Sequence, residues 1–176
     1  MLEMPLWVKE DLGTNGLNPR WTVPLTSSPI FYFNPANGHT YTVTSEPTGI
    51  EAARAQAQAI GGHLVTINNE AENVFLLNTF GQFFNNLQAD AWIGLSDEVT
   101  EGTYLWDNGD SFNYSNWAIG EPNNYAGCGA GSNEDYNIIR LWASNPNVAG
   151  VWNDLPTVSV CQNAGSWRGI IEVSQS

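Results

Sequence analysis

Gly120-Glu121-Pro122-Asn123-Asn124, Glu134-Asp135 and Trp152-Asn153-Asp154 are three short segments of the stretch from Gly120 to Asp154, the most informative part of the chain. Together they carry four carboxylates and three carboxamides among turn-forming Gly, Pro and Asn. Like charges crowded on a loop repel each other, so this set calls for a counter-cation. A hard divalent ion such as calcium takes roughly six to eight oxygens from Asp, Glu, Asn and backbone carbonyls. The stretch holds no histidine and a single cysteine, which makes it a poor zinc site.

The rest of the composition bounds the partners. Lys and Arg total 5 against 18 Asp and Glu, a formal net charge of -13 over 176 residues. That field excludes nucleic acid and anionic membranes, which need clustered Lys and Arg. The length fits one domain with an arm, and 42% hydrophobic content is enough for a core. That core is rich in aromatics, with 8 Trp, 6 Tyr and 7 Phe. No window holds the ~20 apolar residues that span a bilayer, and no signal peptide is visible. A mature form and a cytosolic origin both stay open on that evidence. Cys128 and Cys161 are read as one disulfide tying the two halves of the acidic stretch, with two free thiols as the alternative. Such a bridge stabilises by roughly 3–4 kcal/mol in the chain-entropy model.

Outward from the acidic stretch, the chain divides at about residue 29. Residues 1–29 contain Pro5, Pro19, Pro24 and Pro29 without periodicity, and read as an arm docked through Trp7 and Trp21. Residues 30–176 read as the domain. Ile30 to Phe33 and His39 to Val43 flank the turn Asn34-Pro-Ala-Asn-Gly38, a hairpin pattern. Thr48 with Glu51 predicts a capping box for a helix with apolar face Ile50, Ala53, Ala57 and Ile60, ending at Gly61-Gly62. Leu64 to Ile67 predicts a strand. Asn69 with Glu72 opens a second helix with face Val74, Leu76, Leu77 and Phe80, stopped by Gly81. Asp90 to Leu95, Tyr136 to Trp142 and Trp167 to Val173 read as strands, and Trp152-Asn153-Asp154 as a turn. Strands, two helices and then many short strands with long loops make the class α+β.

Gly61-Gly62-His63-Leu64-Val65, Trp92-Ile93-Gly94-Leu95, Asn116-Trp117, Gly120-Glu121-Pro122-Asn123 and Trp152-Asn153-Asp154 resemble the C-type lectin domain, in order and at family-like spacing. The resemblance covers roughly residues 31–174. It implies a C-type lectin-like fold: two helices, short antiparallel sheets and a long calcium-binding loop region. It implies a sugar-site calcium on Glu121, Asn123, Glu134, Asn153 and Asp154, with a cis bond before Pro122 turning both neighbours to one ion. Those five side chains are also the ligand-binding set, because vicinal sugar hydroxyls complete the calcium shell, donating to carboxylates and accepting from carboxamides. Tyr125 is placed to stack on a sugar face. An accessory calcium maps to Asp97, Glu101, Asn124 and Asp135, with Glu134 shared, and neutral Asn124 weakens it.

Glu-Pro-Asn order resembles the mannose-type members, which take mannose, glucose, N-acetylglucosamine and fucose. The resemblance also places the protein outside the cell or at its surface, with glycans as partners and oligomers as a source of avidity. Departures from the family mark a microbial or otherwise divergent member. Ala57 and Ile171 stand at one family cysteine pair, Tyr136 at another cysteine position, and the loop from Ala126 to Asn133 is long. His63 reads as structural, and Trp92, Trp106, Trp117 and Trp142 as core, with Trp152 packed under the loop. Catalysis is not expected: carboxylates interleaved with amides on one cation stay ionised and cannot serve as acids. Two alternatives on the same fold are an adhesive protein-binding domain with structural calcium and an ice-binding domain.

Overall fold

The computed structural model describes residues 28–125, 133–142, 149–156 and 167–174. The arm reading therefore falls outside the described residues except for Ser28 and Pro29, as do Cys128, Cys161 and their bridge.

β1 (Tyr32–Asn34) and β2 (His39–Val43) form the antiparallel hairpin, with Tyr32 opposite Tyr41. The Asn34 side chain accepts from the Ala36 amide at 3.0 Å, which fixes the turn. α1 (Ile50–Ala59) buries Ile50, Ala53 and Ala57. Its predicted capping box does not form: the N-cap is Gly49, with no side-chain cap. Thr48 is drawn instead into a bridge with Trp167, and its carbonyl accepts from the Trp92 indole at 3.0 Å. Glu51 turns to Arg54 at 3.1 Å. Ile60 caps the helix and lies exposed, off the predicted face.

β3 (His63–Leu64) is shorter than predicted. Val65 to Ile67 stay buried but leave the ladder after the Val65 amide meets the Ile170 carbonyl at 2.9 Å. α2 (Glu70–Leu87) starts at Asn69, whose side chain accepts from the Glu72 amide as expected. It does not stop at Gly81. Phe80 and Phe84, one turn apart, are both buried, and their packing carries the helix through the glycine to Gln88. Val74 faces solvent.

β4 (Ala91–Ser96), β5 (Leu105–Trp106), β6 (Tyr136–Ile139), β7 (Trp152–Leu155) and β8 (Arg168–Val173) complete the chain. The strands join in the order β1-β2-β8-β4-β6-β7, with β3 on β8 and β5 on β4. Pairing is antiparallel apart from β4 and β8, which run parallel. Trp152-Asn153-Asp154, read as a turn, is a strand, because β6 offers it a full ladder from Tyr136–Leu155 to Ile139–Trp152.

Strand alternation splits the core across the sheet. Ile93, Leu95 and Ile139 join α2 and the loop aromatics in one cluster. Trp92, Tyr136 and Ile138 join Ile50 and Ala53 of α1 in the other. Gly94 permits β4 to pass β3: a Cβ there would lie 2.6 Å from the Leu64 carbonyl oxygen. Trp142 is exposed, against its reading as core. Among the described residues no helix is long and apolar enough to cross a membrane.

Candidate functional site

Three chain segments converge at one end of β6 and β7. β7 supplies Asn153 and Asp154, Glu134 precedes β6, and the loop after Gly120 supplies Glu121 to Tyr125. The Glu121–Pro122 peptide bond is cis, as the resemblance implies. Asp154 is fully buried, and its two carboxylate oxygens accept from the Asn123 amide at 3.3 Å and the Asn124 amide at 2.8 Å. The Glu134 carboxylate accepts from the Tyr125 amide at 2.8 Å, while the Glu134 amide donates to Asn124 Oδ1 at 2.9 Å. Asn124 makes this turn in the left-handed region, φ 46°, which a short carboxamide tolerates. The loop is thus stitched to the two buried acids by its own backbone. Asn123 and Tyr125 remain exposed above it.

The electrostatics record the crowding. Burial, then the negative charge of Asp154 and a hydrogen bond with it, push the Glu121 carboxyl above its ordinary value, against the pull of Arg140. Burial raises Glu134 too; the Tyr125 amide opposes this, while Asp154 and Glu121 add to it. Glu121 Oε2 is buried and meets no protein donor. Three carboxylates and two carboxamides with one orphaned anionic oxygen fit a hard divalent cation: oxygen donors only, and charge left to balance.

The second predicted set adjoins the first. Asp97 follows β4 and is buried; Gly102 donates to its Oδ2 at 2.8 Å, while its Oδ1 has no partner. The Asp97 amide meets the Asp135 carbonyl at 3.2 Å. Glu101 is exposed, yet reduced hydration and then Asp97 hold its carboxyl above the usual range, and Asn124 opposes them. Asp135 is raised by burial, then by Asp97 and Glu98. Asp97, Glu101, Asn124 and Asp135 are therefore brought together, again with one orphaned carboxylate oxygen.

Two neighbours escaped sequence reading. Burial, then the charges of Asp97, Asp154 and Glu101, raise the Tyr104 hydroxyl above its ordinary value, so it neighbours both acid sets. Arg140 Nη2 donates to Asn153 Oδ1 at 2.9 Å. Neither side chain belongs to a motif: Tyr104 precedes β5 and Arg140 follows β6, and the tertiary fold brings them in. Beneath the site, Trp152 contacts the rings of Trp106, Tyr114 and Trp117 and donates to Asn73 Oδ1 at 2.8 Å.

A separate polar knot joins His39, Glu72 and Glu172. Tyr41, Asn37, His39 and the Asn68 and Thr66 amides partner all four carboxylate oxygens, so the knot is internally satisfied and ties α2 to β2 and β8. A cleft of about 210 Å³ lined by Arg54, Gln58, His63, Leu64 and Asp107 shares no residue with the acidic site. His63 Nδ1 sits 2.9 Å from the Leu64 carbonyl oxygen, in keeping with a structural role. The family cysteine positions are filled by packing. Ala57 and Ile171 are buried, and the Tyr136 ring lies in the α1 cluster with the Arg54 guanidinium 5.2 Å from its centroid.

The sequence matches the family described as Lectin C-type domain over residues 46–140, more than half of the chain. It is 32% identical over 124 residues to the C-type lectin BfL-2 of Bungarus fasciatus, covering 69% of this chain and 72% of that protein. It is 29% identical over 139 residues to an alpha-N-acetylgalactosamine-specific lectin of Patiria pectinifera, covering 77% of this chain and 76% of the other. Among solved structures, the carbohydrate-recognition domain of the human scavenger receptor C-type lectin aligns with a TM-score of 0.65 at 27% identity, covering 82% of this chain and 96% of that domain. Other relatives are much longer, and the chain spans 25% of one and 9% of another. The motifs, the two-helix mixed-sheet fold and these matches agree: the chain belongs to the C-type lectin domain family.

Proposed function

We infer that the domain binds glycans through calcium. Glu121, Asn123, Glu134, Asn153 and Asp154 hold the ion, and two hydroxyls of one sugar complete its shell. The ion supplies Lewis acidity toward those hydroxyls. The carboxylates accept their protons in hydrogen bonds and the carboxamides donate to their oxygens. The observation that carries this reading is Glu121 Oε2, buried without a hydrogen-bond partner on a carboxyl that the charge of Asp154 acts on. Asp97, Glu101, Asn124 and Asp135 form an accessory calcium site next to it, supported by the orphaned Asp97 Oδ1. The order Glu121-Pro122-Asn123 supports a mannose-type preference: mannose, glucose, N-acetylglucosamine and fucose. Exposed Tyr125 supplies a ring for the sugar face. Residues 1–29 act as an arm, residues 30–176 as the binding domain, and the protein works outside the cell or at its surface.

The test is capture on immobilised mannose and galactose, with calcium and with chelator. Mannose capture lost on chelation supports the reading; chelator-insensitive capture sinks the calcium role, and preferential galactose capture sinks the sugar preference. A second reading, protein adhesion with structural calcium, draws on the exposed Phe33 of the edge strand β1 and the exposed Ile30 and Phe31 just before it. It predicts calcium-dependent stability without monosaccharide binding.

A further inference from the structure

We propose that Arg140 is the sugar site's resident counter-ion, and that it sets how tightly calcium is held; this rests on the calcium reading above. The chain carries 5 Lys and Arg, of which Arg54, Arg140 and Arg168 lie among the described residues. Arg54 is bound to Asp107, Glu98 and Glu51 at 2.8 to 3.1 Å. Arg168 donates to the Thr44 carbonyl at 2.6 Å and lies 3.7 Å from Glu46. Of these three described arginines, Arg140 alone is bonded to a residue of the acidic site. Its guanidinium bonds Asn153 Oδ1 at 2.9 Å, and its charge acts on Glu121 and on Asp90.

The register explains the placement. Ile138 pairs with Asn153 across β6 and β7, and Arg140 lies two residues beyond Ile138, so it shares the Asn153 face of the ladder. A guanidinium only donates, so it fixes the Asn153 carboxamide with Oδ1 toward Arg140. The opposite end is fixed by Nδ2 donating to the Asp154 carbonyl at 2.7 Å. Asn153 Oδ1 retains a second lone pair for a cation.

Charge counting gives the role. Glu121, Glu134 and Asp154 bring three negative charges, and one divalent cation neutralises two of them. Arg140 offsets the third, with a charge that it shares with Asp90. Without calcium it is the nearest compensation among the described residues. With calcium it is a like charge beside the ion, which weakens binding.

The experiment compares wild type, Arg140→Gln and Arg140→Lys by calcium titration calorimetry and by the Tm of the calcium-free protein. Gln keeps an N–H donor for Asn153 and loses the charge; Lys keeps the charge. We expect R140Q to lower the calcium-free Tm and to bind calcium about tenfold more tightly, a gap that narrows in high salt, with R140K close to wild type. A purely structural role would instead lower stability without tightening calcium. R140Q binding calcium no more tightly than wild type overturns the proposal, as does equal tightening in R140K. A wild type that takes up no calcium removes both this proposal and the calcium reading, so the two failures are distinct.

Discussion

At the residue scale, Glu121 and Glu134 are carboxyls held above their ordinary values, first by burial and then by neighbouring carboxylates. An ordinary Glu carboxyl titrates near 4.5, and Glu121 and Glu134 sit above that in the calcium-free fold. A carboxyl raised on folding binds its proton more tightly in the folded state. Its contribution is fully present below the ordinary value and is lost as pH rises through the raised one. The calcium-free domain should therefore lose stability as pH climbs from about 4 toward neutrality, so far as these groups control it. Calcium reverses that slope, because its ligands must be ionised and binding to the native state adds stability. Thermal melts across pH, with calcium and with chelator, check this; parallel slopes would contradict it. The motif acids and amides were legible in the sequence because Glu-Pro-Asn and Trp-Asn-Asp are local patterns. Arg140 and Tyr104 were not, because Arg140 reaches Asn153 only through the β6–β7 pairing and Tyr104 meets the acids only through the tertiary fold. Gly94 is a residue-scale case of close approach: Gly94→Ala forces a Cβ to within 2.6 Å of the Leu64 carbonyl oxygen, for a cost of about 1–3 kcal/mol in unfolding free energy, read by denaturant titration.

At the element scale, tertiary packing overrode local signals at identifiable places. Thr48 and Glu51 spell a capping box, but Thr48 is claimed by Trp167 and Trp92 and Glu51 by Arg54. Gly81 spells a stop, but Phe84 beyond it is needed in the core. The Asn69 cap was read correctly because its partner, the Glu72 amide, lies three residues away. The α2 result yields a sharp expectation. A Cβ on Gly81 would meet only Leu77 Cδ1, at an ordinary 3.4 Å, so Gly81→Ala should stabilise the domain by about 0.5–1 kcal/mol in chemical denaturation. A destabilised variant would mean that the glycine is needed at a bend in α2. Trp-Asn-Asp has turn chemistry, and only its pairing with Tyr136 to Ile139 makes it a strand. That pairing brings two distant segments into one cluster of oxygen donors.

At the scale of the whole molecule, the sheet carries a core on each face, and the acidic site rests on one of them. Trp152 is the joint: it lies in the strand that presents Asn153 and Asp154, and its ring is the hub of the loop aromatics. Trp152→Ala should cost about 3–5 kcal/mol and, in calcium titration, weaken metal uptake more than a surface substitution does. Uptake unchanged in a folded variant would detach the site from its support. Composition and motif order were enough to read the class α+β and the family, because both depend on pattern along the chain. The parallel β4–β8 contact and the satisfied His39–Glu72–Glu172 knot depend on residues far apart in sequence, and only the structure joins them. Sugar binding through a metal ion at the Glu121–Asp154 site is decided by isothermal titration of mannose into wild type and Glu121→Gln, in calcium and then in chelator. Wild type should bind in calcium, E121Q should bind about tenfold or more weakly, and neither protein should bind in chelator; mannose binding that survives chelation or is untouched by E121Q would rule the metal-mediated site out.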